Sequence, residues 1–232
     1  MAAAESCVSM EVVLERTGER RYAVEVHRVG AGALRMDPAP GFDDCFPHDV
    51  QHLIVAEQLG FTSGIFGRLV SGGTATTFAS VGGAKRLSKR VAARFRNALQ
   101  HRDRRLASDG PPQFGRSERA TLVASHDWLS HCPEPELWRR SLSKAESATE
   151  TVDRMDPAER ARLEHVLPRM RHRIDHVAFR WNALSIGGHL TLDWQPTGLH
   201  SDRSVATPAK SISDWWCRTR FGAHRCRREP SR

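Results

Sequence analysis

No apolar run in the 232-residue chain approaches the ~20 residues needed to span a bilayer, which sets aside a helical membrane protein. Cysteine is scarce: five residues, an odd number, scattered and without a C-x-x-C pair. Neither a disulfide framework nor a cysteine-based zinc knuckle is expected from that usage. It suits a reducing, cytoplasmic setting, as does the lack of a charged-then-apolar start of the secretory kind. The chain has no G-x-S-x-G, no G-x-x-x-x-G-K-[ST] and no strand-borne G-x-G-x-x-G, so three common catalytic and nucleotide-binding classes leave no signature. There is no internal repeat.

What the chain does have is positive charge, a formal net +8. It is not spread evenly. Between Lys85 and Arg105 nine Lys or Arg stand against one acid, Asp103, and from His200 to Arg232 eight stand against three. The rest is net negative. Binding to an anionic macromolecule would therefore come from these two segments rather than from the folded body.

Met10, Val12 and Leu14 alternate with Glu11, Val13 and Glu15, and Tyr22, Val24 and Val26 with Ala23, Glu25 and His27. Period-two patterns on both sides of Thr17-Gly18-Glu19-Arg20 predict a β-hairpin with one buried face. Arg35 to Phe46, rich in Pro, Gly and Asp, predicts a loop. Pro47 to Leu59 predicts a helix capped by Gly60. Phe61 to Gly73 is apolar but punctuated by glycine, a turn-rich segment or a short helix. Ser108 to Gly115 reads as a break, with Ser117 capping a helix to about Cys132. Glu136 to Met155 predicts another, with Leu137, Trp138, Leu142, Ala145 and Val152 as its stripe. The clearest helix is Asp156 to Leu184, opened by Asp156 as cap, Pro157 and Glu159, with Pro168 inside it as a kink or a lost backbone bond. Leu190, Leu192 and Trp194 alternate in a closing strand able to join the hairpin. After Pro196 no period remains. The expected organisation is a disordered 1–9, one α+β domain over 10–196, and a basic disordered tail over 197–232.

His48-Asp49-Val50-Gln51-His52 places two imidazoles at i and i+4, one turn apart on one face of a helix. Helices present a pair of zinc ligands this way, as in H-E-x-x-H, with Asp49 at the position of the Glu. At 100° per residue Glu57 falls opposite His48 and leaves Gln51 and Gln58 on the polar side. A third ligand must come from elsewhere: Asp43, Asp44 or Cys45 in the preceding loop, or His126, Asp127 or His131. The plainer alternative is that a buried helix keeps His48, His52 and Glu57 hydrogen-bonded, with Asp49 near the positive end of the helix dipole. Of the two, the hydrogen-bonded reading asks for less, because an i, i+4 pair is only part of a ligand set. His165, His172 and His176 lie opposite the apolar stripe of their helix and should face solvent. Gly72-Gly73 and Gly82-Gly83 border Lys85 and Arg86, a weak phosphate-binding pattern.

The strings PHDVQHLIVAEQLG, GIFGRL, GGTATTF and RWNALSIGGHLTLDW resemble an uncharacterised bacterial family, frequent in actinobacteria, with a PHDxxHxxxExxLG segment. The resemblance covers about residues 10–196. It implies an N-terminal strand pair in a small α+β domain and, since that family has no established activity, no functional residues. The HDxxH element is also similar to the zinc-binding segment of a ubiquinone-biosynthesis scaffold family. There a Glu twelve residues after the second His completes the site; here that position is Gly64.

Two functions are expected in consequence. The first is a non-enzymatic interaction module that engages an anionic partner through Lys85, Arg86, Lys89, Arg90 and Arg94 and through the tail. The alternative is a zinc protein, hydrolytic in the further case, that uses His48, His52 and Asp49 with Asp44, Cys45 or His126.

Overall fold

The computed structural model describes residues 9–28, 32–43, 45–61, 64–75, 77–81, 89–109 and 111–194. Five strands and six helices are present among them, an α+β fold that is 58% helical. Strands β1 (Met10–Gly18) and β2 (Arg21–Arg28) form the expected hairpin, and β5 (His189–Trp194) closes against β1. Two further strands, β3 (Leu34–Met36) and β4 (Ala79–Ser80), complete an antiparallel sheet in the order β4-β3-β2-β1-β5. β3 corrects the loop expected from Arg35: its Leu34 and Met36 are both buried.

The register turns the period-two pattern into cross-strand rows. Leu34, Val26, Val12 and Leu192 lie side by side across four strands, and so do Met36, Val24, Leu14 and Leu190. All eight are buried. The opposite face carries Glu15, Glu25 and Arg35; the Arg35 guanidinium spans Glu15 at 2.7 Å and Glu25 at 3.3 Å. A sheet with one apolar and one ion-paired face packs on one side only, and here it packs on helices.

Helix α1 (His48–Leu59) lies in the middle of the helical layer and contacts α2 (Ile65–Val70), α4 (Pro111–Ser130) and α6 (Pro157–Asn182). Ten of its twelve residues are buried. Gly60 ends it in the left-handed region, φ 66°, as a glycine C-cap does. Pro47 sits just outside, at the N-cap. Each fully buried Leu, Ile or Val of such a helix contributes roughly 1.5–3 kcal/mol.

Helix α3 (Lys89–Asp109) precedes α4, which begins at Pro111 and not at the expected Ser117. The two prolines occupy the first turn, where a missing N–H removes no intrahelical bond, so the Pro-Pro pair opens a helix instead of breaking one. Ser117 is thereby placed inside the helix, buried against Gly64.

Helix α5 (Pro135–Asp153) buries Leu137, Ser141 and Ala148, while Trp138 and Leu142, expected inside, face solvent. Helix α6 runs unbroken through Pro168 and is capped as expected, the Asp156 carboxylate accepting from the Ala158 and Glu159 amides. The Glu159 side chain does not fold back on the cap; it reaches Arg116 and Arg119 on α4. Tyr22 meets Trp181 edge to face at 6.0 Å, joining sheet to α6. No helix among the described residues is long and apolar enough to cross a membrane.

Candidate functional site

The first turn of α1 carries the HDxxH residues, and three elements converge on it. The His48 and His52 rings meet edge to face, with their Nε2 atoms 3.0 Å apart. At that separation one Nε2 donates and the other accepts. Nδ1 of His52 lies 3.2 Å from Thr121 Oγ1 on α4, and Glu118 stands 3.8 Å away. His52 is buried and His48 exposed. Burial, and secondarily the neighbouring His48, lower the His52 pKa to about 4, so His52 is neutral near pH 7. The glycine before the helix matters here: Gly41, at φ 71°, lies so close to His48 that a Cβ would approach its Cβ to 3.1 Å.

Asp49 points away from this pair. Its carboxyl lies 2.5 Å from the Tyr22 hydroxyl, which also lies 2.6 Å from the Pro40 carbonyl. Burial raises the Asp49 pKa against the lowering effects of the phenol and of His48. Asp49 thus ties α1 to β2 instead of standing beside a metal as a base.

The expected third ligands do not assemble. Asp44 lies outside the described residues. Cys45 is buried with its Sγ 3.2 Å from Arg140 Nη1, and its backbone N–H donates to Asp43. His126 sits on α4, while His131 at the end of that helix donates from Nδ1 to the Asp127 carbonyl at 2.7 Å. Among the described residues no group of three or more His, Cys, Asp or Glu is placed to hold a metal. His165, His172 and His176 are exposed, as expected. Glu57, on the far side of α1, is 2% exposed and faces Arg173 at 3.7 Å.

Beside His48 is a cleft of about 270 Å³, lined among others by Gln51, Ser125, Arg140 and Lys144. Gln51, which the wheel put on a polar face, is buried. Ser125, Arg140 and Lys144 carry no motif and lie 74 or more positions from Gln51, so only the packing of α1, α4 and α5 reveals them.

The basic segment lies elsewhere. Lys85 and Arg86 fall outside the described residues; Lys89 opens α3, on which Arg90, Arg94, His101, Arg104 and Arg105 are exposed. The lone acid of that segment, Asp103, is buried: it accepts from the Thr74 amide at 2.7 Å, the Thr74 hydroxyl at 2.5 Å and the Ala75 amide at 3.2 Å. Arg102 lies against Gly72. These contacts hold α3 to the 72–75 turn.

No family model, curated protein or solved structure matches the chain.

Proposed function

We propose that the chain is a non-enzymatic binding module that engages the phosphate backbone of a nucleic acid along α3. The observation that supports this is one exposed stripe. Arg90, Arg94, His101, Arg104 and Arg105 all face solvent, and at 100° and 1.5 Å per residue they fall within roughly 100° of arc over about 22 Å. Asp103 is turned inward and bonded, so it does not offset them. Guanidinium groups suit phosphates because they offer two parallel donors per contact. Lys85, Arg86 and the basic segment after Pro196 would extend the footprint.

The test is binding of a labelled 20-base-pair duplex as a function of salt. The expected affinity falls steeply between 50 and 200 mM salt, with a slope of about −0.9 per phosphate contacted. Replacing Arg90, Arg94, Arg104 and Arg105 by Glu should abolish binding while leaving the far-UV circular dichroism intact. Binding that ignores salt or these charges overturns the proposal. Equal affinity for polyglutamate would point to an acidic protein instead.

The 3.0 Å approach of His48 Nε2 and His52 Nε2 favours a second reading, a zinc site. Tetrahedral zinc at ~2.0–2.1 Å from each nitrogen needs them only about 0.3 Å further apart, and Thr121 is placed to accept from His52 Nδ1 as an outer partner. Zinc there would polarise a water for hydrolysis. Protein purified without a His tag or chelator should then carry stoichiometric zinc that His48→Ala removes; metal-free protein sinks this reading.

A further inference from the structure

We propose that the cleft beside His48 is a binding site for a small organic monocarboxylate with an apolar body. The proposal is independent of α3. The cleft lies where α1, α4, α5 and the 41–43 turn meet, and its ~270 Å³ holds a molecule the size of about nine waters.

Two of its polar side chains lack partners. Gln51 is 7% exposed and Ser125 4%, both line the cleft, and neither makes a side-chain hydrogen bond among the described residues. Neither side chain has its polar atoms sealed away, so both can meet a molecule that enters the cleft. Lys144 also lines the cleft and has no ion pair among the described residues.

The charge of the cleft selects the ligand. Arg140 is already committed: both of its terminal nitrogens hold the Asp43 carboxylate, and Nη1 also meets Cys45 Sγ. With that pair internally neutral, the unpaired charge among the cleft's Lys, Arg and Asp side chains is one ammonium, Lys144. A dianion would bring one negative charge more than Lys144 matches, and a neutral guest would leave Lys144 unmatched. One carboxylate matches the single charge, and its two oxygens have lone pairs for Lys144, the Gln51 amide N–H and the Ser125 hydroxyl. The remaining wall is Phe42, Trp128 and Leu129, a surface for the ligand's apolar part. Trp128 is fixed in place: its Nε1–H donates to Asp175 at 2.8 Å and its ring meets Phe46 edge to face at 5.1 Å. The wall therefore exists before the ligand arrives.

Benzoate is the probe, titrated into the isotopically labelled full chain with the Gln51 side-chain amide signals as reporter. Saturation in the millimolar range or tighter is expected, with those signals moving. Benzamide, the same shape without the charge, should bind at least tenfold more weakly. Lys144→Met and Gln51→Leu should each weaken benzoate at least tenfold while the rest of the spectrum stays that of the folded protein. Should a variant lose its fold, the benzoate–benzamide comparison on the unmodified chain decides alone. The proposal is overturned if benzamide matches benzoate. It is equally overturned if inorganic phosphate moves the Gln51 signals at lower concentration, or if 50 mM benzoate leaves them unmoved.

Discussion

Tyr22 has one phenolic proton and two oxygens within reach, the Pro40 carbonyl and the Asp49 carboxyl. The hydroxyl is the donor to both, so its single proton is shared between the Asp49 carboxyl and the Pro40 carbonyl. Asp49→Asn, which keeps an acceptor oxygen for the Tyr22 hydroxyl in the same place, should cost less than about 1 kcal/mol. Tyr22→Phe removes the hydroxyl that links Asp49 to Pro40 and should cost about 1–3 kcal/mol, both read by chemical denaturation. His52 makes the residue scale sensitive to pH. Its folded pKa of about 4 lies below the ordinary histidine value of about 6.5, so the unfolded state takes up the proton first. Its contribution is complete above pH 6.5 and is lost as pH falls toward 4. Between pH 7 and 5 the loss should be about 2 kcal/mol. Asp49 and Glu118, both shifted upward by burial, act with the opposite sign. The measurement is therefore the difference between the wild-type chain and His52→Gln at the two pH values. A wild-type loss no larger than that of His52→Gln would show that His52 is not the group responsible.

Among the elements, α3 is anchored to the 72–75 turn at Asp103. Asp103→Ala leaves two backbone amides and a hydroxyl of the 72–75 turn without their acceptor, a loss of about 2 kcal/mol or more. Hydrogen exchange at Thr74 and Ala75 should accelerate with it. Gly73→Ala should act alike, because its Cβ would come within 2.5 Å of Asp103 Oδ1 and 3.2 Å of the Arg68 carbonyl. An unchanged exchange rate in both variants would mean that α3 is held by other contacts. The anchor shows why some elements were legible in the sequence and others not. β1, β2 and β5 announce themselves because a half-buried strand forces alternation over six or more residues. β3 and β4 are three and two residues long, too short to display a period, and β3 is held by its register with Val24 and Val26. α1 and α6 were legible through Gly60 and Asp156, local caps with local causes. The start of α4 was not, since Pro111-Pro112 has the same composition in a break and in a first turn. The candidate site divides in the same way. His48 and His52 share a face by spacing alone, whereas Ser125, Arg140 and Lys144 reach Gln51 only through the packing of three helices.

At the scale of the whole molecule, β1 is interior to the sheet, paired with β2 on one side and with β5, nearly the full described length away, on the other. The junction is reinforced where β5 begins: the Gly187 amide donates to the Arg16 carbonyl at 2.7 Å, the Arg16 amide to Gly188 at 2.9 Å, and the Arg16 guanidinium to Leu184. A two-stranded hairpin is marginal by itself, so the buried rows are complete only once residues 189–194 have docked. Leu192, 3% exposed and beside Val12, should cost about 2–5 kcal/mol when replaced by Ala. A chain stopped after Gly188 should lose more than that sum of side chains. It would leave Met10, Val12 and Leu14 on an uncovered edge strand, and such an edge pairs with other chains. We expect it to be insoluble, or to unfold without a cooperative transition. A chain stopped after Pro196 retains every sheet contact described and should melt cooperatively within about 3 °C of the full chain, as the composition change at that point predicts. If the 188 truncation melts like the 196 truncation, β5 is an ornament of the sheet and the core is held by the helices alone. If instead a synthetic peptide of residues 187–196 restores solubility and cooperativity to the shorter chain, strand addition at the β1 edge is what closes the fold.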